Sequence, residues 1–394
     1  MPRPRLIDPF APAHIRRLVR EFGSPLLILD CARVRAQYRS LAGALPGVAL
    51  HYALKPLPHP AVVQTVVEEG GGLDLATSGE VQLAQRLGVA PERCIHTHPI
   101  KRPADIDNAL AFGVRLFVAD NPDEVRKFAH LGGRAQLLLR VSFRSAGAVV
   151  DLSRKFGCDP QDLLPLARLA ADLGISVRGL SFHAGSQTTD AVRHAQAVRA
   201  CAHLMAAARR EKLGPYDTLD IGGGFPIEYT RPVQDIGRFC APLREALDAL
   251  PRGMRVLAEP GRYIAGPAAI GVASVMGRAR RQGHWWYYLD DGVYGSYSGQ
   301  LFDHARYAVQ PLRTQGPRRP SVLAGPTCDS IDVIAEDLML PPLKAGDLVV
   351  GRAMGAYTWA SATDFNFFPR ATVVAVNRHA GDGGSVWTTP AAPR

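Results

Sequence analysis

Lys55 closes the run His51-Tyr52-Ala53-Leu54-Lys55-Pro56, and an ε-amino group at the end of an apolar strand is a candidate nucleophile for a carbonyl carbon. A lysine so placed is most often a solvated charge, but over the mouth of a barrel desolvation would lower its pKa and leave it reactive. Gly222, Gly223 and Gly224, in Asp220-Ile221-Gly222-Gly223-Gly224-Phe225-Pro226, expose backbone N–H groups with no side chain in the way, which suits a phosphate. Arg262, in Glu259-Pro260-Gly261-Arg262, adds a guanidinium able to grip the same phosphate through paired hydrogen bonds. Glu259 beside it needs a positive partner, either an arginine such as Arg262 or a protonated ring nitrogen. His183, in Phe182-His183-Ala184-Gly185-Ser186, offers a flat ring to a planar ligand, although an isolated strand-end histidine is more often a satisfied rim residue. Ser186 supplies a hydroxyl within reach of a phosphate.

These groups need elements that bring them together. From about residue 49 to 262, short apolar runs alternate with amphipathic segments of helix length, the pattern of a parallel sheet with crossover helices. Eight strands are expected, at 49–54, 73–75, 95–97, 115–118, 136–141, 178–183, 218–221 and 255–258. Thr77-x-x-Glu80 reads as a capping box, and Gly70, Gly88, Gly113, Gly132, Gly174 and Gly214 sit where helices should stop. Eight strand–helix units close into a (β/α)8 barrel, with an open doubly wound sheet as the competing α/β architecture. In the barrel, Lys55, Asp74, Arg140, His183, Gly222 to Gly224 and Glu259 all fall at the C-terminal strand ends, on one rim. After Arg262 the texture changes to apolar runs at 264–276, 285–289, 321–324, 347–351 and 371–376 without long helices, which read as antiparallel strands. The division expected is a barrel at 30–265, a C-terminal antiparallel β domain at 266–380 with residues 1–29 packing on it, and a mobile tail at 381–394.

The 394 residues allow two domains, and no apolar stretch approaches the ~20 residues of a membrane span. The net charge of +10 is spread along the chain rather than gathered in a tract, so no nucleic-acid partner is expected. It would repel a small cationic substrate unless carboxylates stood locally at the site. Cys31, Cys94, Cys158, Cys201, Cys240 and Cys328 form no C-x-x-C pair, which leaves reduced thiols, no metal cluster and, with no apolar signal core after Met1-Pro2-Arg3-Pro4-Arg5, a cytoplasmic location as the expectation.

An amine, a phosphate seat, an acid for a ring nitrogen and a flat ring are what a lysine bonded to pyridoxal phosphate requires. On these motifs, and on Gly325-Pro326-Thr327-Cys328-Asp329-Ser330, the chain resembles the fold-type III pyridoxal-phosphate decarboxylases of ornithine, lysine and diaminopimelate, most of all the ornithine decarboxylases, over about residues 24 to 376. The resemblance implies a homodimer whose two active sites are each built from both subunits. It implies that Lys55 is the Schiff-base lysine and that His183 stacks on the ring. Glu259 then pairs with the ring nitrogen, while Ser186, Gly222, Gly223, Gly224, Arg262 and Tyr357 hold phosphate. Asp74 and Arg140 resemble the pair that positions the lysine. Cys328 matches the cysteine that protonates the carbanion, although a single cysteine in a β domain is most often a small buried hydrophobe. Asp303 and Asp329 match the acids that bind a distal ammonium, Phe365 the aromatic residue lining that pocket, and Asp332 reads as structural.

Three departures stand out: Lys55-Pro56-Leu57 for Lys-Ala-Asn, His183-Ala184-Gly185-Ser186 for His-Val-Gly-Ser, and Phe365-Asn366-Phe367-Phe368 for Phe-Asn-Gly-Phe. Pro56 removes a backbone donor next to the lysine, and Phe367 is expected to crowd the pocket edge. Paired carboxylates favour a diamino acid, L-ornithine giving putrescine first and L-lysine second. Diaminopimelate fits less well, because its enzymes usually carry Cys-Glu-Ser at residues 328–330, and a larger conjugate of a specialised pathway stays open. A non-catalytic homologue acting as a binding protein is opposed by Lys55, Glu259 and Cys328 together. An alanine-racemase-like activity would need a tyrosine as second base where this chain has Cys328.

Overall fold

The computed structural model describes residues 8–143, 155–378 and 387–389. Two compact units emerge: one comprises Gln37–Pro226 and Val233–Tyr263, the other the segment up to Ala36, Ile227–Pro232 and the chain from Ile264 onward. Strand β1 (Leu26–Asp30) belongs to the latter.

The first unit is a closed barrel of eight parallel strands: β2 (Val48–Ala53), β3 (Gly72–Leu75), β4 (Cys94–His96), β5 (Leu116–Ala119), β6 (Gln136–Arg140), β7 (Ser176–Ser181), β8 (Thr218–Asp220) and β9 (Arg255–Ala258). All eight strands expected from the hydrophobic runs are present. Pairing of β2 with β9, Val48 opposite Val256 through Leu50 opposite Ala258, closes the ring and excludes the open sheet. Ile95, Leu116, Val118, Leu138 and Leu257 cluster, and since β4 and β9 stand far apart in the strand order, these side chains meet across the interior. Gly179 is required here: a Cβ would lie 1.7 Å from the Thr218 carbonyl oxygen of the neighbouring strand. The Thr77 hydroxyl accepts from Glu80 N at 3.3 Å, but the Glu80 carboxylate turns back to Ala76 N at 2.6 Å rather than to the capping residue itself.

In the second unit the sheet runs β14-β13-β11-β10-β1-β16-β17, with β15 pairing β10 and β12. Its strands are β10 (Ala269–Arg281), β11 (His284–Leu289), β12 (Val309–Pro311), β13 (Arg319–Ala324), β14 (Val333–Leu340), β15 (Leu348–Gly351), β16 (Thr372–Val376) and β17 (Trp387–Thr389). Leu26 and Ile28, Ile270 and Val272, and Val374 and Val376 present alternate residues to one core, which Ile15 and Leu18 of the helix Pro12–Phe22 cover.

The expectation of antiparallel strands needs amending, because β1 pairs β16 and β11 pairs β13 in parallel. Segments distant in sequence supply these neighbours, which no local pattern reveals. The run expected from 264 starts as a strand only at Ala269, after a helical turn at Arg262–Ala265 and a 3-10 turn at Gly266–Ala268. Strand β14 escaped notice because it is an edge, with Glu336 and Asp337 breaking its apolar alternation and Asp337 at φ 55°. Most of the tail from 381 lies outside the described residues, but Trp387–Thr389 pairs with β16, so that part is sheet.

Behind β4, Lys101 buries its ammonium against Glu124 at 2.9 Å, with the His98 and Val118 carbonyls as further acceptors. Both side chains are essentially inaccessible, and although Glu124 also pairs with Lys127 at 2.6 Å, removing Glu124 leaves the buried Lys101 ammonium with carbonyl acceptors alone. Glu124→Ala is expected to cost about 3 kcal/mol in urea unfolding. A loss below about 1 kcal/mol would mean that water reaches the Lys101 ammonium.

Candidate active site

The barrel rim is knitted by hydrogen bonds that continue past the strand ends. Ala53 N donates to Pro260 O at 3.3 Å, Leu54 N to Asp74 O at 3.3 Å, Phe182 N to Asp220 O at 3.1 Å, and Glu259 N to Gly222 O at 2.8 Å. Lys55, Asp74, Arg140, His183, the three glycines and Glu259 therefore share one rim, as the strand positions require.

Asp74 is buried in β3 and accepts from the Thr97 hydroxyl at 2.5 Å. Burial, with the nearby Glu259, pushes its carboxyl up to about 7, while the charge on Lys55 opposes the shift. Glu80 is likewise pushed up to about 7 by burial and by Asp74. Lys55 thus stands among the acidic groups Asp74, Glu80 and Glu259, whose carboxyls its charge lowers. In the single chain Lys55 is exposed, so the desolvation expected from sequence is not supplied by its own chain. Pro56 packs where a Cβ on Gly261 would sit, 2.6 Å away, which seats the loop bearing Lys55 on the one bearing Glu259.

Glu259 is 8% exposed and hydrogen-bonds Asp220, which is wholly buried. Burial first and the Asp220 charge second push Glu259 well above the ordinary carboxylate range, and burial holds Asp220 up to about 6. Gly222 N donates to Asp220 at 2.9 Å, so the glycine turn and the acid pair are tied together.

Each of the three glycines is needed for space. A Cβ on Gly222 would lie 2.3 Å from Phe182 O, on Gly223 2.6 Å from Glu259 O, and on Gly224 2.2 Å from Gly185 O; Gly222 and Gly224 also sit at φ 65° and 96°. The turn rests on an aromatic stack in which His194 of the helix Ala191–Arg210 contacts Phe182 and Phe225, and its Nε2 donates to Ile221 O at 2.9 Å. Beside the turn, Arg262 is 6% exposed and its Nη2 donates to Ser186 Oγ at 2.8 Å.

His183 receives a hydrogen bond at Nδ1 from Gly185 N at 3.0 Å, which puts its proton on Nε2. Its pKa lies well below the usual histidine value, through burial first and the charges of Arg140 and Lys55 next. It is a neutral flat ring whose Nε2 lies close to Gly223.

The β unit carries the second set. Cys328 is exposed, and both its N–H and its Sγ lie 3.2 Å from Asn366 Oδ1. Tyr294 donates its hydroxyl to Asp329, an interaction that holds the Asp329 carboxyl below its ordinary value. The same ring stacks on Phe365 with centroids 4.4 Å apart. Asp332 ties the loop down, accepting from Val293 N at 2.8 Å and from the N and Oγ1 of Thr327 at 3.0 and 2.7 Å. Asp303 caps the short helix Gly299–Phe302, and Tyr357 sits at φ 54°. Phe367 is 73% exposed in the single chain, whereas the Phe365 ring packs on Tyr294, the partner of Asp329.

Sequence reasoning passed over Thr97, His194, Asp220, Tyr294 and Asn366. Asp220 was within reach, being two residues before the glycines. The others act through tertiary contacts that leave no spacing signal.

Residues 31–266 match the model of the pyridoxal-dependent decarboxylase family, pyridoxal binding domain. A lysine/ornithine decarboxylase from Vibrio vulnificus, solved with putrescine, superposes with a TM-score of 0.90 at 52% identity over 95% of this chain and 100% of that one. A lysine/ornithine decarboxylase of Selenomonas ruminantium is 35% identical over 357 residues, 90% of each chain. An arginine decarboxylase of Paramecium bursaria Chlorella virus, bound to agmatine, matches at 27% identity with a TM-score of 0.87 over 93% of this chain and 100% of that one. The three-glycine cradle that a Cβ would fill, the buried arginine beside it and the buried acid of Glu259 fit pyridoxal phosphate, and none of the helices among the described residues is long and apolar enough to cross a membrane. This chain belongs to the pyridoxal-dependent decarboxylases of basic amino acids, close to the lysine/ornithine decarboxylases.

Proposed function

We propose that this enzyme decarboxylates L-ornithine to putrescine and carbon dioxide, with L-lysine as a second substrate, and that it works as a homodimer with shared active sites. The observation that carries the substrate reading is the carboxylate of Asp329, held ionised by Tyr294 beside an aromatic wall, in a chain whose overall charge is +10. A distal ammonium entering a partly dry pocket needs such a partner. The Vibrio relative, solved with putrescine and with cadaverine, supports both substrates.

When bound, pyridoxal phosphate supplies an electron sink for the pair released as the α-carboxylate departs. In this reading Lys55 is the amine that would hold its aldehyde group, with Asp74 and Arg140 positioning that amine. The N–H groups of Gly223 and Gly224, the Arg262 guanidinium and the hydroxyls of Ser186 and Tyr357 would hold the phosphate, with the Gly222 N–H committed to Asp220 and shaping the turn. Glu259, its carboxyl raised by burial against the opposing charges of Lys55 and Arg140, would pair with the ring nitrogen. His183, a flat ring, would lie against the cofactor face. Asp303 and Asp329 hold the distal ammonium, Phe365 lines their pocket, and Cys328 gives its thiol proton to the carbon that carbon dioxide leaves.

The purified protein should show an absorption band that borohydride abolishes, with the reduced label on Lys55 by mass spectrometry. In Lys55→Ala the label should vanish and turnover fall by at least about a thousandfold; retained turnover would end the proposal. Gly222→Ala should release cofactor on dialysis, with affinity weakened about tenfold or more, since the new Cβ must displace backbone. Unchanged cofactor retention would argue against this turn as the phosphate seat.

Carbon dioxide release compared across ornithine, lysine, arginine and diaminopimelate tests the substrate, and preference for arginine or diaminopimelate would overturn it. Mixing inactive Lys55→Ala with Cys328→Ala, which forms little amine, should restore about a quarter of the full amine-forming rate if each site takes residues from both copies. No recovery, with subunit exchange confirmed, would mean that sites are not shared.

A further inference from the structure

The proposed role of Cys328 leaves open what aims its thiol, since an exposed cysteine on a loop has free rotation about its side chain. Asn366 faces it. The backbone N–H of Cys328 is a donor only, so the Asn366 atom 3.2 Å from it is fixed as the carbonyl oxygen, and that oxygen also lies 3.2 Å from Sγ. One acceptor therefore takes both the main chain and the thiol of the same residue, which confines the S–H to a single direction.

The backbone makes room for this. Asn366 sits at φ 53°, ψ 13°, in the left-handed region that asparagine enters more readily than most side chains. It lies within the turn closed by Phe367 N donating to Asp364 O at 3.0 Å. From the other side, Asp332 fixes Thr327 through two hydrogen bonds and receives one from Val293 N. Asp332 N in turn donates to Asp329 O at 3.1 Å. The loop is anchored on both sides of Cys328, while the thiol itself is met by Asn366.

We infer that Asn366 is a positioning residue for the protonation step, fixing the side-chain rotamer that places Cys328 Sγ, whose proton goes to the substrate carbon when the S–H turns from Asn366. This rests on the reading of Cys328 as the proton donor. With pyridoxal phosphate bound, a proton delivered to the α-carbon would give the amine product; a proton delivered instead to the cofactor's aldehyde-derived carbon would, after hydrolysis by water, leave the amino nitrogen on the cofactor and release the decarboxylated substrate as an aldehyde.

Asn366→Gly removes the acceptor without straining the left-handed backbone, and Asn366→Asp retains an acceptor oxygen. The expected result is a rise of about tenfold or more in the aldehyde-to-amine ratio for Asn366→Gly, with Asn366→Asp near the parent. A second readout is independent of turnover: iodoacetamide should alkylate Cys328 several-fold faster in Asn366→Gly, whose thiolate no longer faces carbonyl lone pairs, and no faster in Asn366→Asp. Cys328→Ala serves as the reference. If it leaves the product ratio unchanged, the reading of Cys328 fails. If it shifts the ratio while folded Asn366→Gly changes neither ratio nor alkylation, or only one of them, the role of Asn366 is overturned and that of Cys328 stands.

Discussion

Closure of the barrel between β2 and β9 is the constraint on which the site depends. Three residue pairs, Val48–Val256, Ala49–Leu257 and Leu50–Ala258, set the register. From there the chain has only a few residues on each side before Lys55 and Glu259. The Ala53–Pro260 hydrogen bond and the seating of Pro56 on Gly261 lock those two loops side by side. A slip of one residue would turn every side chain on one strand to the opposite face and separate the amine from the acid. Proline at position 56, which costs a backbone donor, contributes a rigid ring to this junction instead.

Placing Asp74, Asp220 and Glu259 on one rim concentrates acid in a region with little water. Burial resolves the conflict by neutralising some of these groups: Asp74 is pushed up to about 7 and Glu259 well above the ordinary range, while His183 is kept uncharged. Perturbed groups of opposite tendency gathered within one rim are what a site handling protons requires. The acid pair is also joined mechanically to the glycine turn through Asp220 and Gly222.

In the β unit, the chemistry-bearing residues are positioned by side chains rather than by strands. Tyr294 holds Asp329, Asn366 meets Cys328 and Asp332 anchors the loop between them. The exposed loop keeps its shape because each polar side chain is committed to a partner, whereas the barrel rim keeps its shape through a hydrogen-bonded ring of backbone.

Sequence alone determined the eight barrel strands, because strands buried on both faces leave apolar runs that helices with readable ends must separate. It also placed Lys55, Asp74, Arg140, His183, the glycines and Glu259 at strand ends, since in a parallel barrel position along the strand is position on the rim. The glycines were legible because a turn without room for a Cβ excludes every other residue. What only the tertiary structure decided were the partners: Thr97 on Asp74, Asp220 behind Glu259, His194 beneath the turn, Tyr294 on Asp329 and Asn366 on Cys328. These pairs join residues far apart in the chain or on different loops, and a single side chain reaching across space leaves no period or spacing to read. The parallel pairings of β1 with β16 and β11 with β13 belong to the same class, being set by which edges meet when the chain folds back on itself.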